Sequence, residues 1–335
     1  MSRYISDQNK VVMLYESGTY ANSIAGGKWI GQVQDFSIDD SENLLQNRYL
    51  GNSSRSVGKV QDGPRDVTGT MSYHPVDMNL IAHAIGSVSE TSGTSYTHNA
   101  TEIESDVNQN PFTSGTGQKL DTPYSVTFED SKQSPGTGRN FIRTINGAVF
   151  NTITVNSSQG EKVSVDVDWV GQTLSFSSGT TTAVTAVTQR AYSWNDCSLT
   201  MAGSSIDTTK SISLEINQGI NPPHYLNGSR DIASPFPGER SYTLTVTADL
   251  DSDTGQFLYN NYYKGGSEIN SVFDMNADST GSQHAIFTLS GARITSMEMP
   301  STIEGVNETT IELQTGSLDL VDYTNPSQIG SYNPF

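Results

Sequence analysis

Three carboxylates at alternate positions open the segment Asp249-Leu250-Asp251-Ser252-Asp253-Thr254-Gly255, the pattern with which a calcium-binding loop begins. The match stops there, because the twelfth position is Asn260 rather than an acid and the glycine falls one place late. The run also stands where a helix starts, and carboxylates in a first turn cap backbone N–H groups and offset the helix dipole without an ion. A second pair, Asp166 and Asp168, falls on one face of a strand and is the best candidate for the paired carboxylates of a glycan hydrolase. Nothing in its spacing separates it from ordinary solvent-facing strand residues.

The other chemistry-bearing types are scattered. His74, His83, His98, His224 and His284 show no HExxH or paired spacing, and Gly26-Gly27-Lys28 lacks the upstream glycine of a phosphate loop. There is no GxSxG elbow. The single cysteine, Cys197, excludes an intrachain disulfide framework and a Cys-based zinc cluster, and reads as a small buried residue. Trp29, Trp169 and Trp194 have the type for sugar stacking, but sheet core or a subunit interface is the plainer account. Asn-x-Ser/Thr sequons at Asn52, Asn99, Asn156, Asn227 and Asn307 are cheap in so Ser/Thr-rich a chain. The residues therefore read as a non-enzymatic protein with no catalytic centre, metal or cofactor.

Composition narrows the partners. The 335 residues carry 18 Lys plus Arg against 36 Asp plus Glu, a net charge of −18, which argues against a basic nucleic-acid grip. Only 16% of residues are charged, so the surface is wetted mainly by neutral polar groups. No apolar run approaches a membrane span, and the polar start Met1–Asp7 predicts synthesis in the cytoplasm without a signal peptide. With 15 Tyr, 11 Phe and 3 Trp the chain has too many large anchors to be disordered.

Strand-like alternation dominates the elements that would position these residues. It is clean over 242–248 and 162–169 and imperfect over 66–73, with further strands expected at 11–15, 29–38, 124–129, 141–146, 149–155, 196–201, 210–216, 285–290, 293–299 and 308–321. Two segments read as helix, 75–85 ending at Gly86 and 253–263 ending before Gly265-Gly266. The Ser/Thr/Gly-rich stretches 87–118 and 176–190 read as a loop insertion and an interdomain linker.

An internal repeat orders the chain. Gly63, Arg65, Thr68 and Thr70 match Gly238, Arg240, Thr243 and Thr245 at an offset of 175, and Tyr49-Leu50 matches Tyr225-Leu226 at 176. Thr144-Ile145-Asn146-Gly147-Ala148 matches Thr288-Leu289-Ser290-Gly291-Ala292 at 144. The same order and punctuation imply two copies of one domain. Gly63 and Gly238, each closing a long excursion, are expected at turns that need a permissive backbone.

The chain resembles the tail tube proteins of long-tailed, siphovirus-like bacterial or archaeal viruses. The resemblance rests on Ser41–Gly51 followed by Asp62–Thr70, and on Ile294–Thr309 followed by Leu318–Asp322: a strand, a long excursion closing in Gly-x5-Gly, a strand, a helix, and a closing strand pair around a proline. It implies a mainly β fold of two tandem β-sandwich or barrel-type domains, each flanked by one short helix, that close into a ring β-barrel on oligomerisation. The first domain would span 1–178, with an N-terminal arm 1–27 and the insertion 87–118. The second would span 190–323, leaving a C-terminal tail 324–335. Leu44, Leu45, Arg48, Tyr49 and Arg65 in the first long loop, and Pro222, Tyr225, Arg230 and Arg240 in the second, would make contacts between subunits or rings. The implied partners are further copies of the chain in trimeric, pseudo-hexameric stacked rings, a tape-measure protein, terminator and baseplate or tip proteins, and viral DNA sliding through an acidic lumen without specific binding. The competing class is a tandem β-sandwich adhesin or receptor-binding module.

Overall fold

The computed structural model describes residues 9–16, 20–47, 59–91, 96–102, 125–133, 140–184, 187, 189–235, 238–278, 281–301 and 307–324. The first half opens with β1 (Lys10–Glu16), β2 (Ser23–Lys28), β3 (Gln32–Phe36) and β4 (Asp39–Glu42), then a small hairpin, β5 (Leu45–Asn47) with β6 (Lys59–Gln61). It continues through β7 (Arg65–His74), helix α1 (Asn79–Ile85), β8 (Gly86–Thr91), β9 (Tyr96–Glu102), β10 (Val126–Gln133), β11 (Asn140–Ser158), β12 (Ser164–Gly171) and β13 (Thr173–Ser177). The second half holds β14 (Cys197–Met201), β15 (Ser204–Ser205), β16 (Thr209–Asn217), β17 (Ser241–Asp249), helix α2 (Ser252–Tyr263), β18 (Ile269–Asn276), β19 (His284–Glu298), β20 (Glu308–Thr315) and β21 (Leu318–Thr324).

Among the described residues every strand pair is antiparallel. One sheet runs without a break from one half to the other in the order β3 and β4, β7, β12, β11, β16, β17, β20, β19. Its middle ladder, β11 with β16, joins the halves from Thr152↔Asn217 to Ser158↔Ser211. A second set, β2-β1-β10-β11-β13, and a third, β15-β14-β18-β19-β21-β9-β8, flank it, and the β5–β6 hairpin stands apart. The buried faces share one apolar cluster, in which Trp169 of β12 lies against Phe36 at 5.7 Å and Phe128 at 5.9 Å.

The long strands β11 and β19 each belong to two sheets. The early part of β11 pairs with β10 and β13 and its later part with β12 and β16. β19 pairs with β18 and β21 and then with β20. At the change of sheet Gly147 has φ +67° and Gly291 φ +62°, a left-handed bend that glycine adopts freely. Each bend is followed by a bulge, between Phe150 and Thr152 and between Ile294 and Ser296. Both features recur at the offset of 144 already visible in the sequence.

Several boundaries differ from the sequence expectation. The segments 141–146 and 149–155 form one strand bent at Gly147, as do 285–290 and 293–299 at Gly291, because a glycine bend redirects the ladder without ending it. The run 308–321 divides at Gly316-Ser317 into β20 and β21. The expected loop 87–118 begins as the hairpin β8–β9, which adds to β21 and buries His98 and Ala100; its residues 103–118 lie outside the described ones. A Ser/Thr-rich composition satisfies a ladder as well as a loop once a sheet edge offers backbone partners. In β7, Val67, Met71 and Tyr73 share one buried face, so its alternation is regular, with Gly69 beneath the Trp169 ring. Helix α1 starts only at Asn79, whose N–H donates to the Asp77 carboxylate at 3.0 Å, and α2 is wound as a π-helix, with Lys264 N–H reaching Tyr259 O at 2.8 Å. The expected linker 176–190 begins as the end of β13, and its Thr182 docks on β10, donating to Glu129 through both its N–H and its hydroxyl at 2.9 Å.

Candidate assembly surface

The side of the continuous sheet away from the aromatic cluster is built by the register. Residues opposite one another in an antiparallel ladder share a face. One row therefore reads Ser72, Asp166, Thr154, Glu215, Thr243, Gln314 across β7, β12, β11, β16, β17 and β20. The next reads Ser164, Asn156, Ser213, Thr245, Glu312, Ser296. Asp166 and Asp168 are both exposed on this face, Asp166 accepting from the Asn156 amide at 3.1 Å. Lys210 is held between Asp249 and Glu308 at 2.6 Å each, and Arg293 stands 3.7 Å from Glu268. The face presents hydroxyls, amides and carboxylates, with these cations tied to acids.

The metal and thiol candidates take other roles. Asp249 pairs with Lys210 and Asp251 accepts from Thr208 at 3.2 Å, while the Asp253 side chain lies outside the described residues. Among the described residues no group of three or more His, Cys, Asp or Glu side chains is placed to hold a metal ion. Burial pushes the Cys197 thiol up to about 11, against a hydrogen bond from Ser157, so it is not a thiolate near neutral pH. Trp194, 46% exposed, lines a cleft of about 340 Å³ with Cys197 and Lys210, whereas Trp169 is fully buried.

The two long excursions meet at one place. Arg65 N–H donates to Arg230 O at 2.9 Å, Arg230 Nε donates to Gly63 O at 2.9 Å, and His224 Nε2 lies 2.9 Å from Asp66. Arg230 also stands 3.5 Å from Glu42 and from Asp62. Arg240 Nη1 donates to Ile85 O at 2.6 Å and its Nε to Gln218 Oε1 at 2.9 Å, while the Gln218 amide donates to Ala84 O. Two residues from the second half thus close the C-terminal end of α1 in the first, where carbonyls lack helical partners. Arg230 and Arg240 accordingly join the halves of one chain. Leu44, Leu45 and Tyr225 are exposed by half or more and Pro222 is half-buried; Arg48 and Tyr49 lie outside the described residues. Gln218 and the strand Asp39–Glu42 escaped the sequence reading, the one as an ordinary polar residue, the other because four polar residues in a row carry no strand signal.

Arg65 forms a fork with Asp40, Nε to Oδ1 at 2.7 Å and Nη2 to Oδ2 at 2.8 Å. That hydrogen bonding, against some desolvation, holds the Asp40 carboxyl below its ordinary value. A carboxylate with a depressed folded-state pKa contributes stability above its unfolded value of about 4 and loses it as pH falls through the folded value. Asp40→Asn is therefore expected to melt below wild type from pH 7 down to about 4, with the gap closing under further acidification. A gap independent of pH would assign the effect to packing instead.

Gly63 and Gly238 serve close approach rather than unusual φ. A Cβ on Gly63 would stand 1.7 Å from Asn43 O, and one on Gly238 2.3 Å from Gly219 O. Neither is among the positive-φ glycines, which corrects the expected permissive turn. Gly63→Val should cost about 1–3 kcal/mol by displacing the Asn43 backbone, read as a lowered denaturation midpoint. Wild-type stability of that variant would show that Asn43 moves freely.

The continuous sheet ends in two edges. Among the described residues, β3 and β4 pair in it only with β7, and the later part of β19 only with β20. Both edges carry charge, Asp39, Asp40 and Glu42 on one and Arg293 and Glu298 on the other, a common guard against uncontrolled pairing. The family model described as phage tail tube protein matches residues 75–314. The chain belongs to the phage tail tube protein family. No curated protein matches it. Among solved structures it is similar to the SPP1 tail tube determined by solid-state NMR and cryo-EM, at 13% identity and a TM-score of 0.27, covering 55% of this chain and 85% of that one. As a tail tube protein it is a structural component of the virion tail.

Proposed function

We propose that this tail tube protein polymerises through its sheet edges into rings that stack as the conduit for viral DNA. The observation that carries the reading is the continuous sheet with, among the described residues, one unpaired edge at each end, since an unpaired edge is a template on which another copy can add its own strand. Joining the β19 edge of one copy to the β3–β4 edge of the next repeats until the barrel closes. The recurring glycine bends, bulges and strand order support two copies of one domain, 1–178 and 190–323, already fused side by side. Three chains then supply six such units, a threefold ring with a sixfold-like lumen. The hydroxyl, amide and carboxylate face lines that lumen and keeps phosphate from sticking. The tube would be built on a tape-measure protein and closed by terminator and baseplate or tip proteins.

Image reconstruction of the purified, polymerised protein tests this by counting chains per ring. Three chains around an open channel is the expected result; six chains, discrete particles, or one half lying outside the channel wall would overturn it.

A further inference from the structure

We propose that the grip which joins the two halves within one chain is repeated between chains, with Glu42 and Arg65 of one copy closing on the last turn of α2 in its neighbour. The inference rests on the ring reading above and adds the residues of its joint.

Equivalence follows from the ladders. Glu215, Ile216 and Asn217 pair with Thr243, Tyr242 and Ser241. Asp39, Asp40 and Ser41 pair with Thr68, Val67 and Asp66, at one constant offset on each strand. Glu42 and Arg65 thus stand where Gln218 and Arg240 stand in the second half, and α2 follows β17 as α1 follows β7. Within the chain, Arg240 uses Nε on Gln218 and Nη1 on the terminal carbonyl of α1. Arg65 uses Nε and Nη2 on Asp40 and Nη2 on Leu174 O; its Nη1 makes no hydrogen bond among the described residues. That atom is the counterpart of the one that caps α1. The end of α2 offers the carbonyls of Tyr263 and Lys264 and, exposed beside them, the Lys264 ammonium, 5.6 Å from the Tyr259 ring and 5.9 Å from the Tyr263 ring.

The substitution of Glu42 for Gln218 suits this neighbour. A glutamine amide donates to a carbonyl, as Gln218 does to Ala84, whereas a carboxylate only accepts. Glu42 therefore fits the Lys264 ammonium, while Arg65 Nη1 takes the carbonyl. Carrying the register of the internal ladder across sets Met297 opposite Asp40 and Glu298 opposite Asp39. The second pair is of like charge, which makes the joint between chains weaker than the joint within one.

The test is a charge exchange in the full chain, with ring and tube formation followed by sedimentation and microscopy. Glu42→Lys and Lys264→Glu should each raise the concentration needed for assembly at least about tenfold, and the double exchange should recover most of it. A disulfide pair, E42C with K264C in one chain, should give covalent trimers and no crosslinked monomer under mild oxidation. Wild-type-like assembly of both single variants, or crosslinking within the monomer, overturns this joint while leaving the ring reading intact. Absence of rings from the wild type overturns the ring reading itself. Melting of the unassembled chains controls for misfolding, and equal losses in the single and double variants count against the pairing.

Discussion

Glu16→Ala is expected to be the most damaging single substitution in the first half, lowering stability by about 3–5 kcal/mol, as removal of one partner from a buried charged network does. Glu16 is 3% exposed at the end of β1. Its carboxylate accepts from Ala21 N–H at 2.8 Å, Thr127 Oγ1 at 2.7 Å, Gly147 N–H at 2.7 Å and the Ser125 hydroxyl. Tyr20, whose hydroxyl donates to Gly147 O at 2.9 Å, has its own pKa raised by burial and then by the Glu16 charge. The side chain therefore ties β1 and its turn to β10 and to the bend of β11. Alanine leaves these donors facing a cavity, each costing about 1–3 kcal/mol unless water reaches it. Total stability of a domain is about 5–15 kcal/mol, so the variant should be near its folding limit. Glu16→Gln keeps one accepting oxygen but turns an amide NH2 toward donors, and should fall between alanine and wild type. Chemical denaturation measures both; a loss under about 1 kcal/mol for Glu16→Ala would mean that the network is replaceable by water.

How much of this was legible beforehand depends on whether the feature is local. Alternation in β12 and β17 reports directly which side chains face the core, and both strands lie where the pattern put them. The repeat was visible because Asn146-Gly147-Ala148 and Ser290-Gly291-Ala292 serve the same left-handed bend, which tolerates few other residues. That each bend continues a strand was not visible, since a glycine marks a change of direction without saying whether pairing survives it. The hairpin β8–β9 was hidden for another reason: its Ser/Thr/Asn sequence has little strand preference of its own and is held by β21, more than two hundred residues later. Gln218 and Glu16 carry no local signal, because their partners come from distant segments. The sequence presents the loop arginines as one group, and only the fold separates Arg230 and Arg240, which join the halves, from Arg65, whose Nη1 makes no hydrogen bond among the described residues.

On the proposed reading that the sheet face lines the channel, reversing its charge should make the tube grip DNA. Asp166, Asp168, Glu215 and Glu312 all sit at outward positions of their strands, opposite neutral Ser, Thr, Asn or Gln neighbours. Lysine at the four sites leaves the core unchanged, with the Asn156–Asp166 hydrogen bond as the main local loss. Wild-type tubes should not retain duplex DNA even at low salt. On that reading every chain of the variant adds ammonium groups along the channel, and the affinity should fall with salt at a slope of about −0.9 per phosphate neutralised. With six to ten phosphates engaged, the affinity should drop by about 10³–10⁵ between 50 and 200 mM salt. Topology of the DNA separates inside from outside. A linear duplex enters an open tube end, whereas a closed circle of the same sequence reaches only the outer wall. Co-sedimentation that favours the linear form by a wide margin places these carboxylates in the lumen. Equal retention of both forms would place the sheet face on the outside, and the conduit assignment of that face would fall with it.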